Sequence, residues 1–130
     1  MTISDSFDWA DYLALASDLA IAGADESRLR SAVSRAYYAG YHEALRVMNG
    51  LDPMAYDSLA NSTSGSHARV WHWLQNRPEG RLFNASEKGK RLMDKRIRAD
   101  YKAAGRSDWA KEATQAVETA KAIRSSLSAF

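Results

Sequence analysis

Ser34-Arg35-Ala36-Tyr37-Tyr38-Ala39-Gly40-Tyr41-His42 is the stretch on which the chain turns. It lies inside a long segment whose apolar residues recur with a helical period. At about 100° per residue, Leu29, Val33, Ala36, Tyr37, Gly40, Ala44 and Val47 fall on one side. That side is the expected core face, and Gly40 would let another backbone approach it. Arg28, Ser31, Arg35, Tyr38, His42, Arg46 and Asn49 fall opposite. Arg35 and His42 are nearly two helical turns apart, so both leave the same face. A solvated polar face accounts for the stripe as it stands, but Tyr38 among the polar groups points to contact with a base or a second subunit.

Outward from this segment, the periodicity stays helical and no strand alternation appears. A helix is expected from about Asp8 to Ile21, buried through Trp9, Leu13, Ala16 and Ala20 and ended by Gly23. The second helix opens behind Asp25 or Ser27 and stops at Asn49-Gly50, with Asp52-Pro53 breaking the chain. Met54 to Gly65 reads as a loop with at most a short turn. A third helix covers about Ser66 to Gln75, and a fourth runs from behind Asn84 or Ser86 to Ala104-Gly105. The last starts behind Ser107, with Trp109, Ala113, Ala116, Ala120, Ile123 and Leu127 as its seam. The whole is a single all-α domain over residues 1–130, an up-and-down bundle of four to five helices.

Composition sets outer limits. The chain of 130 residues is long enough for one cored domain, and it contains no cysteine, which suits a reducing cytoplasm. No apolar run has the length of a membrane span, and the acidic start lacks the layout of a signal peptide, so a cytoplasmic location is expected. The net charge of +2 conceals an asymmetry. Up to Glu26 all charged side chains are acidic; from Arg81 to Arg106 basic ones predominate. Lys88, Arg91, Lys95, Arg98 and Lys102 recur at steps of three and four, facing away from Met93, Ile97, Tyr101 and Ala104. Such a row is either an ordinary exposed face or a track for a phosphate backbone.

Other chemistry is thinly represented. His67 and His72 would stand about 140° apart on a helix with no carboxylate to complete a set, so no metal site is expected. Ser66 would open that helix, Val70, Trp71 and Trp73 pack in or beside the core, Arg69 and His72 lie at its edge, and His67 could approach a cleft. No Gly-rich phosphate loop or nucleophilic triad is recognisable, and no cofactor is expected.

The segment Ala32 to Ala44 resembles the signature helix of the HEPN superfamily (higher eukaryotes and prokaryotes nucleotide-binding), with its Ser-Arg-x-Tyr-Tyr-Ala pattern followed by a histidine. Arg96-Ile97-Arg98-Ala99-Asp100-Tyr101 is similar to a basic run ending in Ala-Asp-Tyr on a later helix of that family. The resemblance implies a helical bundle, commonly a homodimer with the key helices facing each other. Many members are metal-independent endoribonucleases of toxin or phage-defence type, whose motif of an Arg and a His separated by four to six residues is met by Arg35 and His42. In that reading His42 is the base that activates a ribose 2′-hydroxyl and Arg35 stabilises the phosphoryl charge. A second copy's imidazole protonates the leaving oxygen, and a 2′,3′-cyclic phosphate remains. Tyr38, Arg46 and Arg98 would bind the substrate RNA. Active members often carry a polar residue after the arginine, where this chain has Ala36. The alternative is a non-catalytic HEPN module that binds nucleotide, nucleic acid or a nucleotidyltransferase partner. The partners implied are RNA or nucleotide, a second copy, and a nucleotidyltransferase or antitoxin.

Overall fold

Asp25 starts the central element. Its carboxylate accepts a hydrogen bond from the Arg28 backbone N–H at 3.0 Å, closing the first turn of a helix that runs to Leu51. That bond, with a second from Ser27, holds the carboxyl below its ordinary range. The computed structural model describes residues 7–21, 23–61, 65–102 and 108–130. Six helices occur among them: α1 (Ala10–Leu19), α2 (Glu26–Leu51), α3 (Pro53–Ala60), α4 (Ser66–Gln75), α5 (Gly80–Tyr101) and α6 (Trp109–Leu127). All described regular structure is helical, and none of these helices is long and apolar enough to cross a membrane.

α2 is the hub, packed on α6, α1, α5, α3 and α4. Leu29, Val33, Ala36, Tyr37, Gly40, Ala44 and Val47 are all buried, as the periodicity requires, and Ala32, Ala39, Tyr41 and Met48 join them. The core face is therefore wider than one stripe, because α2 is enclosed on several sides. Gly40 meets the side chain of Ile123 on α6, not another backbone; a Cβ there would lie 3.3 Å from the Ile123 Cδ1. The seam of α6 is buried in full, from Trp109 to Leu127.

Several boundaries differ from expectation. Asn49 and Gly50 do not end α2, because Gly50 keeps a right-handed backbone and Asp52 serves as the C-cap. Pro53 then begins a helix in the segment read as a loop. Its missing N–H is harmless at the first position, and the Asp52 carboxylate accepts from Ala55 N–H at 3.1 Å. α4 spans the expected residues. α5 starts earlier than Asn84, at Gly80, without a side-chain cap. α6 opens behind Asp108, whose carboxylate accepts from Lys111 N–H; Ala104-Gly105 and Ser107 lie outside the described residues.

The phase of α5 is the largest correction. Its buried positions are Leu82, Ala85, Ser86, Gly89, Leu92, Arg96 and Ala99. Ile97 and Tyr101, expected inside, are 36% and 72% exposed. Gly89 decides the phase: a Cβ there would overlap the Trp71 ring of α4, so only glycine lets these two helices close. Met93 is half-buried, and Ala104 lies outside the described residues.

Candidate functional site

Arg35 and His42 face the same neighbour, α1. An Asp8 carboxylate that accepts from Ala10 N–H turns the chain into α1 and brings Trp9 and Tyr12 over α2. The Trp9 indole lies flat on the His42 imidazole, with ring centroids 3.4 Å apart and planes inclined by 6°. The Arg35 guanidinium sits 4.9 Å from the centroid of the Tyr12 ring. Phe7 meets both Trp9 and Tyr12 edge-on, so three aromatic rings roof the pair. Burial pushes the His42 imidazole down to about 4, with the nearby His67 adding to the effect. It is neutral at pH 7.

On the flank of α2 turned to α4 and α5, the two motifs of the sequence meet. Ser34 donates a hydrogen bond to Asp100 at 3.2 Å, and Asp100 lies 3.6 Å from the Arg96 guanidinium. Arg96 is only 8% exposed, and its charge is spread against the rings of Tyr37, Tyr38 and Tyr101 at 5.4–5.8 Å. The i, i+4 spacing of Arg96 and Asp100 is the signal that separates this arginine from its neighbour Arg98.

His67 enters the cluster from the first turn of α4. Trp71 Nε1 donates to the Tyr37 hydroxyl at 3.1 Å, and that hydroxyl lies 2.8 Å from His67 Nδ1. The buried phenol, accepting from Trp71, is satisfied by donating its O–H as a hydrogen bond to Nδ1, which leaves His67 neutral with its own hydrogen on Nε2. Burial and the Arg96 charge lower the His67 pKa, and burial raises those of Tyr37 and Tyr41. His67 also stacks on Tyr41 at 4.2 Å. Tyr38, 6.3 Å from His42 and 5.9 Å from His67, links the two halves.

The other expected binding residues are held elsewhere. Arg46 pairs with Glu43 and donates to the carbonyls of Leu127 and Phe130, satisfying the end of α6. Arg98 and Lys95 both reach Glu112 on α6, at 3.5 and 3.2 Å, which partly neutralises the basic row. Arg46 and His42 do line one open cleft of about 510 Å³, but Asp8 and Glu43 balance Arg46 and Arg124 around it, so it carries no bias for an anion. Arg35 is not among its described lining residues.

Neither family models, nor curated proteins, nor solved structures match the chain. The chemistry therefore rests on the residues themselves. At pH 7 His42 is neutral, and neutral His67 has its acceptor nitrogen taken by Tyr37, so neither supplies a proton donor of imidazolium strength. One of them has its face covered by Trp9. The group of Trp9, Tyr12, His67 and Arg96 completes the site. The periodicity placed Trp9 on the buried face of the first helix, and only the acidic residue two before Ala10 marks the turn that swings it over His42.

Proposed function

We propose that the chain is a HEPN-type binding module whose Arg35/His42 pair does not cleave RNA in this state. The observation that carries this is the Trp9 indole lying flat on His42. The two-histidine cycle that the resemblance implies needs one imidazole that accepts a proton and one that donates it. With the pKa of His42 at about 4, a second copy in the same environment offers no better donor.

What supports binding is the exposed end of α5. Tyr101 presents its ring to solvent beside the exposed Lys102, with Arg98 one turn away. An exposed aromatic next to cations is the pattern that stacks a base and holds its phosphate. Single-stranded RNA or a nucleotide is thus the ligand this end suits, and the Arg96 guanidinium, 5.8 Å from the Tyr101 ring centroid, backs the ring. Labelled single-stranded RNA, titrated at low salt in EDTA, is expected to bind without being cut. Tyr101→Ala should weaken it by about 5- to 100-fold. Cleavage in EDTA that His42→Ala abolishes would overturn the proposal.

A second reading is favoured by Arg35 and His42 sharing one face. If α1 were lifted, a homodimer could bring two such pairs together as a metal-independent endoribonuclease of toxin or defence type, opposed by an antitoxin or nucleotidyltransferase partner. Trp9→Ala should then gain cleavage that Trp9→Ala/His42→Ala loses.

A further inference from the structure

A second recess lies apart from the Arg35/His42 face, where α3, α4 and α5 converge over the end of α2. It is an open recess of about 660 Å³, within the size range of sites for small organic ligands. Buried Met48 and Leu59 form its floor, and Trp73 and Met93 its walls. Trp73 is fixed in place: its Nε1 donates to Asp52 at 3.3 Å, and the Arg77 guanidinium lies 5.2 Å from its ring centroid. A rigid indole and two adaptable thioethers make a surface that fits flat apolar bodies of more than one shape.

The charge at the mouth is one-sided. No carboxylate occurs among the described lining residues, whereas Arg69 and Lys90 both do. Lys90 is held by Gln75 and balanced by Glu87 at 3.8 Å. Arg69 is exposed and has no ion pair among the described residues. The recess thus combines an apolar interior with a positive charge at its rim that has no ion-pair partner among the described residues.

We propose that this recess binds a small organic monoanion with a flat apolar body, the body against Trp73, Met48 and Met93 and the anionic group at Arg69. The test uses two dyes of one skeleton, 1-anilinonaphthalene-8-sulfonate and its uncharged parent N-phenyl-1-naphthylamine. The sulfonate should bind the folded protein saturably, one per chain, and more tightly than its parent. Arg69→Gln should cost the sulfonate about tenfold or more and leave the parent unchanged, the loss expected for one charge-assisted contact. Ala68→Trp, at an exposed helical position that lines the recess, should exclude both dyes while circular dichroism and melting temperature stay as they were. Equal affinity for the two dyes, or binding indifferent to Ala68→Trp, would sink the proposal. So would a concentration-dependent increase in mass that Ala68→Trp alone abolishes, since the occupant would then be a second protein chain.

Discussion

At the scale of single residues, the decisive contact is between Trp9 and His42. A flat aromatic pair of this kind contributes about 0.5–1.5 kcal/mol beyond the area it buries. It also denies the imidazole the water that a proton's charge requires. Titration of the His42 ring protons by NMR should therefore give a midpoint near 4, and Trp9→Ala should move it up towards the ordinary value of about 6.5. A midpoint that ignores the substitution would mean that Trp9 is not the source of the burial. The sign for stability follows. The folded state holds His42 neutral, so the unfolded chain binds the extra proton between pH 6.5 and 4, and stability falls as pH drops through that window. His67 acts in the same direction. Discounted for the partial exposure of His42, the loss from pH 7 to pH 4 is on the order of 1–2 kcal/mol, measurable by urea unfolding at each pH. In the His42→Gln variant the His42 share of this slope should vanish and the His67 share remain.

At the scale of elements, two junctions carry the geometry. Asp52 joins three helices: one carboxylate oxygen caps α3 and the other accepts from Trp73 on α4, while its backbone closes α2. Asp52→Ala should cost about 1–2 kcal/mol in chemical denaturation. Asp52→Asn should recover the cap but not the indole bond, because its amide nitrogen cannot accept. The α4–α5 crossing depends on Gly89, and Gly89→Ala should destabilise by about 1–3 kcal/mol as the Trp71 ring is forced aside. These junctions also show what periodicity can convey. The faces of α2 and α6 were legible because each alternates apolar and polar groups over many turns. α5 was not, since it buries a glycine, a serine and an arginine, and shows an isoleucine and a tyrosine to water. Its phase is set by the shape of Trp71 and the charge of Asp100, neither of which lies on α5's own apolar stripe. The short α3 was hidden for a simpler reason: Asp-Pro both ends one helix and begins the next.

At the scale of the whole molecule, α2 touches every other described helix, so no part of the bundle can loosen without disturbing it. Ile123→Ala, at the crossing of α6 on Gly40, should cost about 2–5 kcal/mol. Unfolding followed by far-ultraviolet ellipticity and by tryptophan emission should stay coincident in that variant, since the hub leaves no independent half. The candidate site was legible to a similar degree. Arg35 and His42 share a face as their spacing requires, and Tyr38 stands between the two clusters. What covers them was not readable, because α1's aromatics reach α2 through a turn at Asp8 rather than through any repeating pattern. Lys95 and Arg98 likewise owe their partner to Glu112, which the sequence places on a different helix.

The flat seating of Trp9 on a titratable ring has an optical consequence. Of the four indoles in the chain, Trp9 is the one stacked on an imidazole among the described residues. A protonated imidazole quenches indole light by drawing its excited electron. As acid is added, Trp9 should dim in step with His42, and any ligand that prises that roof loose should abolish the step, so the protein carries its own lamp for the opening.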